Sequence, residues 1–475
     1  MPGDRLTGLD ASFLHLEDAS AHMHVASVMV FEGDPPPYED LLESIEGRLH
    51  LVPRYRQRLG FVPLGQGRPR WVDDPHLNMR YHVRATALPA PGSEDQLRAL
   101  ASRVFAQQLD RDKPLWEIYL VEGLEGGRFA LLSKTHHALV DGVSGVDIFS
   151  VLFDTSADPA APPDPGRRWL PAPAPSGAQL LGEALLERAT VPSEVARSVK
   201  ALFRGPRQVV DGAVRAAYGV GAMAWAGVNP APPSPYNRPI GPHRRFTWVR
   251  TELADIKAIK NELGGTVNDV VLATVAGALG RHLRRRGQRT DGLELKAMVP
   301  VSVRADTERG DLGNKVAAMM APLPVWCQEP EARLEIVSEQ LAGLKEGGQA
   351  LGAQVLTDLT GYAPPTVMAQ ASRLMGRQRM FNLVVTNVPG PQFPLYLMGR
   401  RAVDPFPMVP LAKGQGLGVA IMSYDGKMNF GLVGDYDVMH DLDDLAGDLY
   451  ASLEELAHAA GVELTTSAPA TVGVT

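Results

Sequence analysis

A proline-rich segment divides this 475-residue chain into two halves. Residues 158–175 contain seven prolines. A proline ring removes a backbone donor and clashes with the preceding helical turn, so neither a long helix nor a central strand can run through this segment. The chain also exceeds the roughly 250–300 residues that one hydrophobic core supports. We therefore predict two domains, residues 1–157 and 244–475, joined by a proline-rich linker with amphipathic helices at residues 158–243.

The composition is that of an ordinary globular protein. Hydrophobic residues make up 45% and charged residues 21%, and the net charge of -7 argues against a nucleic-acid-binding surface. The single cysteine, Cys327, excludes an internal disulfide, fits a reducing cytosol and is interpreted as a buried, unreactive thiol. The first residues lack a signal-peptide pattern, and no window approaches the roughly 20 apolar residues of a membrane span. We expect a cytoplasmic protein that does not cross a bilayer.

The linker contains a segment with two open interpretations. Residues 177–227 have apolar side chains at helical spacing, with basic residues among them: Arg188, Arg197, Lys200, Arg204, Arg207 and Arg215. Such helices can lie on an anionic membrane surface. They can equally pack on the protein's own core with their basic groups in water.

The strongest candidate for a chemical site is His-His-Ala-Leu-Val-Asp-Gly at residues 136–142. Two β-prone runs, Leu115–Leu124 and Arg128–His137, flank a glycine turn and predict a hairpin that ends at the histidines. Successive strand side chains face opposite sides, so the two imidazoles cannot easily reach the same atom. We expect one imidazole to face a cavity and the other to pack inside.

A neutral imidazole at the floor of a cleft can act as a general base for an attacking hydroxyl or thiol at neutral pH. Two alternatives are a structural histidine pair and a metal site. A metal site is disfavoured because its ligands usually lie on one face at helical spacing and the chain has only one cysteine. Asp141 and Gly142 fall in the turn before Ser144, a predicted N-cap.

The pattern His-His-x-x-x-Asp-Gly resembles the active-site motif of the CoA-dependent acyltransferase superfamily. Further segments resemble one branch of it, the bacterial wax ester synthase/diacylglycerol acyltransferase family, and follow in the expected order over nearly the whole chain: Leu9-Asp-Ala-Ser-Phe13, Pro114-Leu-Trp-Glu117, Asn268-Asp-Val-Val-Leu272, Pro300-Val-Ser-Val-Arg304, Gly313-Asn314, Thr386-Asn-Val-Pro-Gly-Pro391 and Ser423-Tyr-Asp-Gly426. A minor departure is Thr386, where many relatives have serine, and it preserves a hydroxyl.

The resemblance implies an α+β fold of two chloramphenicol-acetyltransferase-like domains, each a mixed sheet with flanking helices, with an active-site tunnel between them. It implies transfer of a long-chain acyl group from acyl-CoA to diacylglycerol, a long-chain alcohol, or both, giving triacylglycerol or wax ester. No bound cofactor or metal is expected, and acyl-CoA is the co-substrate. Because these acceptors barely dissolve in water, we expect peripheral contact with the inner face of the membrane or with lipid droplets.

The resemblance also implies roles for particular residues. His137 is the expected general base, and the other catalytic-motif residues are His136, Asp141 and Gly142. Substrate-binding or oxyanion candidates are Asn268, Asp269, Thr386, Asn387, Arg304 and Trp116. Asp141 is expected to pair with a cation such as Arg304, and Trp116 to pack near the cleft. A simpler interpretation of Asn268-Asp269 is helix capping, with Asn268 as the N-cap of a helix from Asn268 to His282.

Local signals predict two further boundaries in the second half. A helix from about Leu253 to Leu263 is expected to end at Gly264-Gly265. Strand-like runs at residues 417–423 and 427–433 flank Asp425-Gly426, which predicts a hairpin turn.

Three other functions compete with this interpretation. A serine hydrolase acts on the same ester bonds, but no Gly-x-Ser-x-Gly elbow surrounds Ser144. A non-catalytic lipid-binding or storage scaffold would not need an intact His137. A condensation-type acyltransferase with a carrier-protein donor would need a docking face that the sequence does not reveal.

Overall fold

A computed structural model describes residues 5–140, 151–158, 169–186, 230–302, 316–346 and 380–466. Within these residues the protein is α+β, with two six-stranded mixed sheets flanked by helices. This arrangement confirms the predicted fold class.

The first sheet belongs mainly to the first half of the chain. Its strands are β1 (His24–Glu32), β4 (Val83–Ala87), β5 (Trp116–Leu124), β6 (Arg128–His136), β11 (Tyr396–Leu397) and β12 (Arg400–Met408). They are ordered β11-β12-β1-β6-β5-β4, and only the β4–β5 pair is parallel. A separate hairpin pairs β2 (Gln57–Gly60) with β3 (Arg70–Asp73).

The second sheet lies entirely in the second half. Its strands are β7 (Arg244–Glu252), β8 (Glu294–Ser302), β9 (Val316–Pro324), β10 (Leu383–Pro389), β13 (Leu417–Tyr424) and β14 (Lys427–Asp435), in the order β7-β14-β13-β10-β8-β9. Strand β10 is parallel to both neighbours, β13 and β8. The predicted turn between β13 and β14 is present at Asp425-Gly426, where both residues have positive φ.

The main helices of the two halves are α1 (Gly8–Leu16), α2 (Tyr38–Arg48), α3 (Met79–His82), α4 (Glu94–Phe105), α5 (His137–Val140), α6 (Leu253–Leu263), α7 (Val267–Arg285), α8 (Pro330–Glu346) and α9 (Leu442–Ala459). Helix α7 is buried along most of its length and packs between α8 and α9. Helix α6 ends at Gly264, as predicted, because this residue adopts φ +89°.

No single described helix is both long and apolar enough for a membrane span, although α6 and α7, bent by 97°, meet the criteria of length and composition when taken as a pair.

Strand β12 connects the two halves of the chain. It comes from the second half, yet it pairs antiparallel with β1 along six residues, with Ala26 opposite Met408. The first sheet therefore contains strands from both halves, and the sheets do not follow the predicted division at residue 244. Hydrophobic periodicity identifies a strand but not the sheet that it joins.

The two sheets meet across a shared apolar layer. One face of the first sheet packs, together with α4, against side chains of the second sheet, and Trp248 of β7 stacks on Phe406 of β12 at 4.3 Å between ring centroids. The backbones approach closely at Gly431 of β14, where a Cβ atom would lie 1.8 Å from the carbonyl oxygen of Pro407. Only glycine fits at this contact.

An ion cluster borders the apolar layer. Arg250 of β7 donates to Glu94 of α4 at 2.7 Å and to Asp404 of β12 at 3.0 Å. Lys427 donates to Asp404 at 2.9 Å. Burial would raise the pKa of Asp404, but the charges of Arg250 and Lys427 outweigh burial and hold it below its usual value. These ion pairs link four elements, α4, β7, β12 and β14, from both halves of the chain.

One described part of the linker, residues 169–186, packs against the first half. Residues 177–186 are helical, and Leu180 and Ala184 form a small cluster with Val62. Arg70 pairs with Glu183. The remainder of the predicted helical segment, residues 187–227, lies outside the described residues.

Candidate functional site

The two adjacent histidines lie where a buried strand ends. Strand β6 ends at His136, one residue earlier than predicted, and α5 begins at His137. His136 is 1% exposed, whereas His137 is partly exposed. The N–H of His137 donates to the carbonyl of Met23 at 2.8 Å, and that of His136 to Leu115 at 2.9 Å. His136 is therefore inside and His137 is partly exposed; because His137 begins α5, the difference arises at the junction of strand and helix and not from alternation along a strand.

The ring of His136 closes the turn between β6 and α5. Its Nδ1 accepts the N–H of Ala138 at 3.1 Å, and its Nε2 lies 3.4 Å from the Oε2 of Glu17. Since Nδ1 is an acceptor, the proton of a neutral ring belongs on Nε2. This assigns the tautomer from the hydrogen-bond pattern.

Glu17 is a residue of this site that sequence reasoning missed. It follows α1, its side chain is 1% exposed, and it accepts a hydrogen bond from Arg111 Nε at 2.9 Å. Burial would raise the pKa of Glu17, but His136 and Arg111 outweigh burial and hold it below its usual value. The carboxylate is therefore charged at neutral pH. Glu17 lies four residues after the family-like segment Leu9–Phe13, but that spacing does not indicate a contact with the histidines.

His137 contacts the same helix. Its imidazole stacks on the ring of Phe13, with 4.1 Å between centroids and 27° between planes. Helix α1 and the residue after it therefore contact both histidines. A capping box of Thr7 and Asp10 starts this helix and fixes its position. A partly exposed imidazole in such a fixed orientation can accept a proton from a bound hydroxyl.

Two further histidines lie beside the pair and were not identified from the sequence. His24 faces His136 across the β1–β6 ladder, and its Nε2 lies 2.7 Å from the carbonyl of Phe105. Burial, with the charge of Lys134 and the proximity of His22, holds the pKa of His24 well below its usual value. Burial also lowers the pKa of His22. These rings are neutral near pH 7.

Lys134, two residues before His136, is a buried cation of the same strand. Its side chain is fully buried, lies 3.2 Å from Glu117 and donates to the carbonyl of Gln107 at 2.9 Å. Burial lowers the pKa of Lys134, while Glu117 opposes that change. The face of β6 that carries His136 is thus polar but closed to water.

Trp116 has the contacts of a core residue. It is 1% exposed, its Nε1 donates to the carbonyl of Tyr55 at 2.8 Å, and its ring stacks on His82 at 4.6 Å. It pairs with Thr135 on β6, next to His136. Trp116 therefore supports the strand that carries the histidines without facing an open surface.

Asp269 is engaged in a helix cap. The N-cap of α7 is Thr266 rather than Asn268, because Thr266 and Asp269 form a capping box. The Asp269 carboxylate accepts the N–H of Thr266 at 2.8 Å and the hydroxyl of Ser338 at 3.2 Å. Asn268 lies in the first turn of α7 and is partly exposed. The predicted cap is thus present, but two residues earlier.

Thr386 and Asn387 lie where the central strand β10 emerges from the core. They pair with Ala420 and Ile421 of β13 and are partly exposed, whereas the preceding Val385 is buried. Both residues are therefore partly exposed at one end of the second sheet. Asp141, Gly142 and Arg304 lie outside the described residues.

Comparisons with known proteins agree with this geometry. The family model described as wax ester synthase/diacylglycerol acyltransferase catalytic domain matches residues 6–271, and that described as WS/DGAT C-terminal domain matches residues 312–457. A probable diacylglycerol O-acyltransferase of Mycobacterium tuberculosis is 36% identical over 464 residues, which is 95% of this chain and 94% of that protein.

Two solved structures share the architecture. A wax ester synthase/diacylglycerol acyltransferase from Marinobacter aquaeolei is 27% identical, with a TM-score of 0.67 over 96% of this chain and 100% of that one. The first condensation domain of the CDA synthetase is 16% identical, with a TM-score of 0.59 over 98% and 99%, and shares the fold alone. The chain therefore belongs to the wax ester synthase/diacylglycerol acyltransferase family.

Proposed function

We propose that this protein transfers a long-chain acyl group from acyl-CoA to the hydroxyl of diacylglycerol, of a long-chain alcohol, or of both. The observation that carries the proposal is the contrast within the histidine pair. His136 is buried and engaged in the turn, whereas His137 is partly exposed and oriented by Phe13. Partial exposure allows a bound hydroxyl to reach the His137 imidazole and transfer its proton.

The reaction is a direct transfer. His137 takes the proton from the acceptor hydroxyl as its oxygen attacks the thioester carbonyl of acyl-CoA. The C–S bond breaks as the tetrahedral intermediate collapses, the ester is released, and the proton on His137 passes to the leaving CoA thiolate. Acyl-CoA is a co-substrate, and the step needs no bound cofactor.

The negative charge on the tetrahedral oxygen needs a preorganised donor. The candidates are the Thr386 hydroxyl, the Asn387 amide and the Asn268 amide. Their partial exposure at strand and helix ends supports this assignment. Asp141 and Gly142 are proposed to complete the motif, with Arg304 as the cation that pairs with Asp141.

Two alternatives remain as outcomes of the test. A non-catalytic lipid-binding or storage scaffold would bind lipid without releasing CoA. A condensation-type enzyme would require a carrier-protein donor, and the likeness to condensation domains extends only to the fold.

The test is to measure CoA release by purified protein from palmitoyl-CoA with either dioleoylglycerol or hexadecanol. His137→Ala should lower turnover by about 10²–10⁴-fold, the usual contribution of a general base. His136→Ala should lower it less. His243→Ala, at an exposed position before β7, is the matched control and should leave turnover unchanged. Equal turnover for the wild type and His137→Ala would refute the mechanism.

We also propose that the protein makes peripheral contact with lipid, either at the inner face of the membrane or at the surface of lipid droplets. Next to the predicted lipid-facing segment, Leu64 is 84% exposed and Leu186 is 70% exposed, with Phe61 and Leu185 also exposed. These side chains belong to the β2–β3 loop and to the helix at residues 177–186, which pack on each other. A combined apolar surface of this kind supports insertion at a lipid interface.

This proposal is tested by co-sedimentation with anionic vesicles. Leu64→Ser with Leu186→Ser should reduce binding, as should reversal of Arg197, Lys200 and Arg204 to glutamate. Turnover of detergent-dispersed substrate should barely change in either variant. Unchanged vesicle binding in both would place the lipid-contacting surface elsewhere.

A further inference from the structure

The carboxylate of Glu17 is held rigidly before it meets the histidine pair. Arg111 Nε donates to it at 2.9 Å, and the same guanidinium donates to the carbonyl of Leu14 in the last turn of α1 at 2.9 Å. The Glu17 side chain is 1% exposed. Two elements, α1 and the segment after α4, therefore fix this charge in place.

Glu17 contacts the His136 ring, whose surroundings favour a single neutral tautomer. At 3.4 Å, the Glu17 Oε2 atom and the His136 Nε2 atom do not form a well-aligned hydrogen bond, but both groups are buried, so their electrostatic attraction is little screened by water. A carboxylate accepts and cannot donate, so it favours the proton on Nε2. Nδ1 is then unprotonated, and its lone pair can accept the hydrogen bond from the N–H of Ala138.

The turn so formed carries His137. The N–H of His137 is held by Met23, and the N–H of the next residue is held by the His136 ring. The opposite tautomer would place a hydrogen on Nδ1 facing the Ala138 N–H, and two donors at 3.1 Å repel. The direction of α5, and with it the His137 imidazole against Phe13, thus depends on the proton of His136.

We propose that Glu17, anchored by Arg111, is a positioning residue for acyl transfer that locks His136 in its Nε2–H tautomer and thereby orients His137. The inference rests on the proposed function for its kinetic consequence. The tautomer lock itself is independent of that function.

Glu17→Gln tests the lock, because glutamine keeps the size of the side chain and can donate as well as accept. We expect kcat to fall by roughly 10–100-fold, the range for a misplacement of about 1 Å, with KM changed less than about twofold. In long-range ¹H–¹⁵N spectra of the imidazole rings, the His136 resonances, assigned by their loss in His136→Gln, should move away from the Nε2–H pattern.

The matched control is Glu94→Gln, which removes another largely buried carboxylate paired with an arginine but contacts no histidine of the site. It should lower thermal stability comparably while leaving kcat and the His136 spectrum unchanged. If Glu17→Gln does not fold, Arg111→Lys serves instead. Lysine keeps the positive charge but cannot reproduce the guanidinium contacts with Glu17 and Leu14. Arg111→Lys should therefore lower kcat and move the His136 resonances in the same direction as Glu17→Gln.

An unchanged His136 spectrum in both Glu17→Gln and Arg111→Lys would overturn the inference, as would kcat equal to that of the wild type in folded protein. Failure of the proposed function gives a different result: the wild type would show no turnover, or His137→Ala would retain it, while Glu17→Gln still altered the His136 spectrum.

Discussion

The contact between Gly431 and Pro407 allows a substitution whose cost follows directly from the geometry. In Gly431→Ala the new Cβ would lie 1.8 Å from the Pro407 carbonyl oxygen, whereas real Cβ atoms essentially never approach closer than 3.0 Å. Backbone must therefore move by about 1.2 Å, and the obstacle is a strand and not a flexible side chain. Overpacking usually costs 1–3 kcal/mol, so we expect a loss of about 3 kcal/mol or more in the free energy of unfolding.

The measurement is urea denaturation followed by tryptophan fluorescence, since Trp248 lies directly opposite Gly431 on β7. The control is Gly447→Ala in α9, where an added Cβ meets nothing within 4 Å. There the same methyl group should stabilise by roughly 0.5–1 kcal/mol, because alanine has the higher helix propensity. If Gly431→Ala were as stable as Gly447→Ala, the close approach of the two sheets would be incorrect.

Three further outcomes are expected. The folded-state pKa of Asp404 lies below its unfolded value of about 3.9. The contribution of this carboxylate to stability is therefore present above about pH 4 and is lost as the pH falls through the folded-state pKa. In calorimetry, Asp404→Asn should make the loss of stability between pH 5 and pH 2 less steep. Trp116→Phe leaves the buried Tyr55 carbonyl without its donor and should cost about 1–3 kcal/mol in urea denaturation. Asp141→Asn and Arg304→Met should each lower activity and stability, and a double mutant whose destabilisation equals the sum of the two would show that they are not paired.

Local signals predicted the elements that have clear boundaries. Helix α6 ends where Gly264 was expected to end it, and the hairpin at Asp425-Gly426 has the predicted turn. Strand β12 was not predicted, because Pro405 and Pro407 argue against a strand. Both prolines are tolerated because, in the described sheet, β12 pairs over most of its length with β1 alone. Its other neighbour, β11, pairs only with Arg400 and Arg401.

The sequence predicts only those features of the candidate site that depend on neighbouring residues in the chain. Strand alternation predicts that one of the residues 136 and 137 faces a cavity and the other packs inside, but the strand ends at His136 and His137 begins a helix. Glu17 and Phe13 reach them through tertiary packing of α1, and no spacing in the sequence indicates that packing. The cap of α7 was misplaced by two residues because Asn268 and Thr266 are both good N-cap residues, and only Thr266 has the reciprocal partner Asp269.

The late position of β12 in the sequence has a consequence for synthesis on the ribosome. Until β12 is made, β1 is an open edge strand, with Val28 and Val30 uncovered on one face and Phe31 on the other. At 5–20 residues per second, the nascent chain needs roughly 20–75 s to pass from β1 to β12. During that interval the first half cannot complete its sheet and is prone to pairing with other nascent chains. A chaperone that shields this edge should therefore raise the yield of folded protein more than one that acts after release.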